Sequence, residues 1–325
     1  MFPWQKSIWQ TLTNSQQNKH LGHGLLFHGA AGTGKNIFAI EFAHWLLCEQ
    51  ALADKACGEC KSCKLIEAES QPDFLTLYPE EPGKAIKVDQ VRELIQKVSL
   101  TSHSQGYRVI IISPADALNV NASNSLLKTL EEPPANTILI MITDKLSKLM
   151  PTIRSRAQLM RFDLPNEAQS LAWLNEHKIE KAGLLLKLCA GAPLAAHSLA
   201  ENEGLALRDK LFANWQDLAI GQADALESAA MWIKEGFKLN SQLPLNWVSS
   251  WIMDIIRLKQ GGSNENIVNS DYIETLQKMA GQVDLKAVYA FLDRLNDTVG
   301  LMATSANQLM LVEGLLLHWA GLKRI

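Results

Sequence analysis

The chain has 325 residues, 47% of them hydrophobic and 20% charged, with a formal net charge of −3. That length holds two or three domains of roughly 100–200 residues, the composition is that of a globular chain, and the charge balance argues against a strongly basic nucleic-acid binder while allowing a local basic face. No apolar run approaches the ~20 residues of a membrane span, and the polar N-terminus MFPWQKSIWQTLTNSQQ does not pattern as a signal peptide, so a cytoplasmic location is expected.

Residues 5–19 pattern as a short amphipathic helix. Gly24–His28 (GLLFH) is a short apolar run that enters a glycine-rich segment and reads as a strand. Asn36–Leu47 reads as a helix, with Phe38, Phe42 and Trp45 at i, i+4 and i+7 on one face. Phe74–Tyr78 is a second candidate strand. Val88–Leu100 follows as a helix capped by Asp89 or the residues just before it. Arg108–Ile112 is nearly all aliphatic, as a buried parallel strand is. Pro114 opens a helix that runs to about Glu132 and stops at Pro133-Pro134. Thr137–Ile142 is a fourth buried strand. This alternation predicts a parallel α/β sheet.

After about Pro165 the strand patterns vanish. The expected division is an α/β domain over 1–165, a small helical unit over 166–206 and an all-helical unit over 207–325. The last holds five of the nine tryptophans (Trp215, Trp232, Trp247, Trp251 and Trp319), whose irregular helical spacing suits a helical core or a subunit interface better than base stacking. Gly261–Asn269 reads as a polar loop within it. Cys189 falls in an apolar helical stretch and reads as a core residue.

Gly29–Asn36 is GAAGTGKN. In the phosphate-loop signature G-x-x-x-x-G-K-[ST], backbone N–H groups cradle phosphates, the lysine reaches the terminal phosphates and the hydroxyl holds Mg²⁺. Gly29, Gly34 and Lys35 fit, between a predicted strand and a predicted helix, and Gly32 lies within the same candidate binding loop. Asn36 stands where the hydroxyl belongs. Such an NTPase also needs a carboxylate after a buried strand, yet RVIII ends in Ser113-Pro114. Asp116 comes three residues later and Asp144 closes the next strand. Nucleotide binding (ATP or ADP) through Lys35 and the backbone therefore stays open, and two readings stand: a chain that does not hydrolyse nucleotide on its own, and an active ATPase using Lys35 with Asp116 or Asp144.

Cys48, Cys57, Cys60 and Cys63 form C-x8-C-x2-C-x2-C. Two-residue gaps, with Gly58 to help the turn, aim consecutive thiolates at one ion, and four thiolates close a tetrahedral structural Zn²⁺ shell. An iron–sulfur cluster is the rival, but the C-x3-C-P continuation of a ferredoxin-type run does not follow Cys63. A zinc-dependent DNA-binding regulator would need a basic surface here, and Lys55, Lys61 and Lys64 are offset by Asp54, Glu59, Glu67 and Glu69. The histidines show no metal-ligand spacing. Arg154 and Arg156 lie in TIRSRAQ, either as an ordinary solvated basic turn or as an arginine offered to a neighbouring subunit's nucleotide.

Strand–GxxGxGK–helix, a four-cysteine insert, SLLKTLEEPP (Ser125–Pro134), a strand and then Ser155-Arg156, in that order along some 130 residues, resemble the bacterial DNA polymerase III clamp-loader subunits of the AAA+ class. The resemblance implies that the two helical units are lid and collar domains. It implies a heteropentamer with the gamma/tau motor subunits and the delta subunit, assembled through the collar, which opens the sliding clamp and closes it on primed DNA. Motor subunits of this family carry Lys-Thr/Ser in the loop and an Asp-Glu pair after the third strand. Here those positions hold Asn36, Ser113 and Pro114. The lid arginine of motor subunits would fall near Gly191–Ala196, where none stands. These departures imply a non-hydrolysing member, counted with the DNA-directed DNA polymerase (nucleotidyltransferase) only through its complex. The family's Ser-Arg-Cys appears as Ser155-Arg156-Ala157, and Arg156 is implied to complete the ATP site of the adjacent motor subunit. Any DNA contact would be to phosphates and salt-sensitive.

Overall fold

A computed structural model describes residues 1–81, 83–99, 106–238, 242–302, 304 and 306–322. The chain forms two compact units, Met1–Ser170 and Leu171–Ile325.

In the first unit α1 (Lys6–Gln17) precedes β1 (Gly24–Gly29) and α2 (Lys35–Leu47). The cysteine insert contributes α3 (Lys61–Glu67), and β2 (Phe74–Leu77) and α4 (Val88–Ser99) follow. Next come β3 (Arg108–Ile112), α5 (Val120–Glu131), β4 (Thr137–Thr143), the single turn α6 (Pro151–Arg154) and β5 (Gln158–Phe162). The five strands form one parallel sheet in the order β2-β3-β4-β1-β5.

Period-two alternation sorts the strand side chains onto two faces. Leu25, Phe27, Val109, Ile111, Ile138, Ile140 and Ile142 pack with Trp9 of α1 and with Phe38, Phe42 and Trp45 of α2. Leu26, Ile110, Ile112, Leu139 and Met141 pack with Val91 and Leu94 of α4, Leu126 and Leu130 of α5, and Ile153 of α6. Both faces are covered, so β3 and β4 are buried along their whole length, and this is why they are legible as unbroken aliphatic runs.

Two expectations need correction. No helix starts at Pro114. Ala115–Ala117 is one 3₁₀ turn, and α5 begins at Val120 because the Asn119 side chain accepts from the Ala122 N–H at 2.8 Å. A fifth strand was also not expected. β5 pairs with β1 from Leu25↔Gln158 to Gly29↔Phe162. As an edge strand mostly exposed to water, it carries no aliphatic run. The expected end of α4 at Leu100 lies outside the described residues.

The remaining elements are helical: α7 (Glu167–Glu176), α8 (Ala182–Leu188) and α9 (Pro193–Glu201), then α10 (Gly204–Ile220), α11 (Ala225–Glu235), α12 (Leu243–Lys259), α13 (Ile273–Gln282), α14 (Leu285–Leu301) and α15 (Gln308–Ala320). The five tryptophans of the C-terminal helices are all buried. Trp215 and Trp319 stack with centroids 4.1 Å apart, and the Trp319 indole donates to the Trp215 carbonyl at 3.0 Å. They are core.

The predicted polar loop is tied down from inside. Arg208 on α10 is fully buried, donates to Asp271 Oδ2 and Asn269 Oδ1 at 2.7 Å each, and lies 4.1 Å from the centre of the Tyr272 ring. Asp254 on α12 accepts from the Asn269 backbone and side-chain amides at 2.8 and 2.7 Å. Cys189 is not a fully buried core residue. It caps α8 and is half-buried, and burial pushes its thiol up to about 11. No single helix among the described residues is long and apolar enough to cross a membrane.

Candidate functional site

The glycine loop leaves the end of β1 and feeds directly into α2, so the N-terminal N–H groups of that helix face the loop. Close packing dictates its glycines. Gly29 has φ +148°, and a Cβ there would lie 2.1 Å from the Phe162 carbonyl oxygen of β5. Gly34 has φ +88°, and a Cβ there would lie 2.7 Å from the Phe2 ring. Gly32 also sits in the left-handed region at +74°. The N-terminal segment fastens the loop from outside, since Trp4 Nε1 and Gln5 Nε2 both donate to the Thr33 carbonyl at 3.0 Å.

Lys35 does not point into solvent. Its side chain is 3% exposed, and Nζ meets Asp144 Oδ1 at 2.6 Å. It also donates to the carbonyls of Ala30 and Gly29 at 2.7 and 3.1 Å. Asn36 and Ser113, 77 residues apart, meet directly: the Ser113 hydroxyl donates to Asn36 Oδ1 at 2.7 Å. The two positions that would flank a loop-bound metal are therefore bonded to each other. Asp116 accepts from the Thr143 hydroxyl at 2.5 Å. Both candidate metal carboxylates thus have partners within the chain.

The four cysteines converge where α2 ends and α3 begins. Cys48 follows α2, Cys60 caps α3 and Cys63 lies in its first turn. Their sulfurs all lie within 4.8 Å of one another, with Cys48–Cys60 and Cys57–Cys63 at 3.9 Å. Backbone N–H groups point at them: Cys57 to Cys48, Cys60 to Cys57 and Cys63 to Cys60, at 3.3–3.4 Å. Burial pushes Cys60 up, but N–H bonds from Cys63 and Glu49 and contacts with the neighbouring thiols outweigh it and bring it down to about 6. Bonds from the Glu59 and Cys60 amides hold Cys57 below its ordinary value. Burial raises Cys48, and raises Cys63 to about 12. A tetrahedral ion with bonds of about 2.3 Å sets its sulfurs about 3.8 Å apart, so this set could hold a metal ion.

Arg156 follows α6 at the foot of β5. Its Nε and Nη2 reach Glu131 Oε1 at 2.7 and 2.5 Å, and Nη1 donates to the Thr152 carbonyl at 3.1 Å. Arg154 ends α6 itself. Sequence reasoning placed the loop, the cysteines and Arg156, but it did not single out Glu131 or Thr143. Glu131 lies within SLLKTLEEPP, but nothing local tied it to Arg156, 25 residues away.

A parallel sheet of this order, with a glycine loop after β1 and helices on both faces, is the P-loop fold of the AAA+ class. A gamma subunit-related DNA polymerase III protein of Thermotoga maritima shares this fold with a TM-score of 0.51 at 15% identity, over 94% of this chain and 98% of that one. Residues 4–166 match the family described as DNA polymerase III, delta subunit, and residues 202–321 match its C-terminal counterpart. The DNA polymerase III subunit delta' of Pseudomonas aeruginosa is 36% identical, over 99% of this chain and 98% of that protein. Its Escherichia coli counterpart is 31% identical over 98% and 94%. The tau subunit of Bacillus subtilis is 39% identical over 49% of this chain and 27% of its own length. The chain belongs to the DNA polymerase III delta' family and is a clamp-loader subunit.

Proposed function

We propose that this chain is the non-hydrolysing stator of the clamp loader, with a catalytic contribution made only at a subunit boundary. The observation that carries the reading is the Ser113–Asn36 hydrogen bond. It joins the two positions where a motor subunit would offer a hydroxyl and a carboxylate to Mg²⁺. The missing hydroxyl at Asn36 and the missing carboxylate at Ser113 weigh against the alternative of an active ATPase built on Asp116 or Asp144.

In this proposal residues 1–165 are the AAA+ domain, 166–206 the lid and 207–325 the collar. The collar joins the gamma/tau and delta subunits in a heteropentamer that opens the sliding clamp and places it on primed DNA. Arg156 is the finger that stabilises transition-state charge in a neighbouring motor subunit, a role worth about 10³–10⁵ in rate. The cysteine cluster holds one structural Zn²⁺ through Cys48, Cys57, Cys60 and Cys63. A four-iron cluster attaches each cysteine to a different iron and needs its sulfurs spread wider than these are.

The test is ATP turnover. The purified chain is expected to show none above background, with or without primed DNA. Brisk Mg²⁺-dependent turnover that disappears in Lys35→Ala would establish the active-ATPase reading instead. In the reconstituted complex, Arg156→Ala is expected to slow turnover while leaving assembly intact.

A further inference from the structure

An arginine that completes another subunit's site must present the correct edge of its guanidinium. The group has a side edge, made by Nε–H and one Nη2–H, and an end edge made by Nη1–H and Nη2–H. Either can grip an oxyanion with two hydrogen bonds. In this chain the side edge is taken. Nε and Nη2 both reach Glu131 Oε1, at 2.7 and 2.5 Å, while Nη1 donates to the Thr152 carbonyl at 3.1 Å and reaches the Ser155 hydroxyl at the longer distance of 3.5 Å.

We propose that Glu131 is a positioning residue for Arg156: it holds the side edge so that the end edge is presented outward to a phosphate of the neighbouring subunit. This rests on Arg156 being the finger. The placement is rigid on both sides. Glu131 is the last residue of α5, whose Leu126 and Leu130 are buried and whose Leu130 carbonyl bonds His23 Nε2 at 2.7 Å, pinning that helix end to the start of β1. Arg156 follows α6, whose Ile153 is fully buried and whose Ile153 carbonyl accepts the Arg156 N–H at 3.1 Å.

Stability does not explain the pair. The two side chains are 37% and 50% exposed, and an ion pair that open to water contributes little. Its effect is on order. Arginine loses several rotatable torsions when it grips a phosphate, and holding it beforehand removes that loss from the assembly and reaction steps. The carboxylate also repels an approaching phosphate. Meeting the guanidinium on its other edge keeps that repulsion at longer range.

The experiment compares DNA-stimulated ATP turnover, kcat and KM separately, in complexes reconstituted with wild-type chain, Arg156→Ala, Glu131→Ala, Glu131→Gln and the Glu131→Ala/Arg156→Ala double variant. Assembly is followed by gel filtration. Glu131→Ala is expected to lower kcat about threefold to tenfold with assembly intact. Glu131→Gln, which keeps the acceptor oxygen, should recover at least half of the loss. The double variant should turn over no more slowly than Arg156→Ala alone. If Arg156→Ala slows turnover but Glu131→Ala does not, the positioning role is wrong and the finger stands. If Glu131→Ala lowers the rate further in the Arg156→Ala background, or Gln performs no better than Ala, Glu131 acts by another route and the proposal fails. If Arg156→Ala leaves turnover unchanged, the finger reading itself fails.

Discussion

Lys35 shows how a single buried side chain is balanced. Its side chain is 3% exposed and its ammonium is paired with Asp144. Removing that carboxylate leaves a buried cation with only neutral acceptors, the Gly29 and Ala30 carbonyls and the Thr33 hydroxyl. Asp144→Ala is therefore expected to lower stability by about 1–2 kcal/mol, read as a lower urea midpoint with an unchanged slope. Cys60 is the sharper case. It caps α3, receives the Cys63 N–H and lies 3.9 Å from Cys48. Zinc binding in small peptides is worth about 10–16 kcal/mol of folding, and one missing thiolate opens the shell. Metal analysis is expected to give one zinc per wild-type chain, and Cys60→Ser should lose the metal and fold poorly. Stoichiometric iron with visible absorbance would refute the assignment.

At the scale of elements, the buried cation on α10 organises the connection between α12 and α13. Arg208 joins Asp271 and Asn269, and Asp254 completes the network from α12. Arg208→Met leaves polar partners unmatched in the interior and should cost about 3–5 kcal/mol, measurable by equilibrium denaturation. This is also where the limits of sequence reading are visible. β3 and β4 announced themselves because burial on both faces demands aliphatic residues throughout. β5 did not, because an edge strand half in water is free to be QLMRF. Pro114 looked like a helix start, yet the Asn119 cap five residues later governs where α5 begins. The cysteine cluster was legible because its four members fall within sixteen residues. The Ser113–Asn36 and Glu131–Arg156 contacts were not, since each depends on a strand register that no local pattern encodes.

Across the whole molecule, three histidines contribute to the response to acid. Burial, the largest cause in each case, holds His28, His44 and His318 below the ordinary value of 6.5. Below 6.5 the unfolded chain takes up protons that the folded chain refuses. Their contribution to stability is complete above that pH and declines as the pH falls through the lowered folded values. Through these groups the melting temperature is expected to drop as the pH falls below 6.5. His44→Phe, which keeps a ring against Phe74, should shallow the drop; a melting temperature that climbs between pH 6.5 and 5.5 would contradict this.

The glycines of the loop carry a wider implication. Gly29 is obligatory because a main-chain oxygen of the neighbouring strand crowds it, and Gly34 because an aromatic ring lies over it. Neither constraint involves a nucleotide. A lineage that stopped burning ATP would still be unable to exchange these residues, and its genes would go on displaying an engine's nameplate. The glycines of that signature therefore do not by themselves report turnover, and the informative positions are the ones just beside it, where no steric rule protects the old letter.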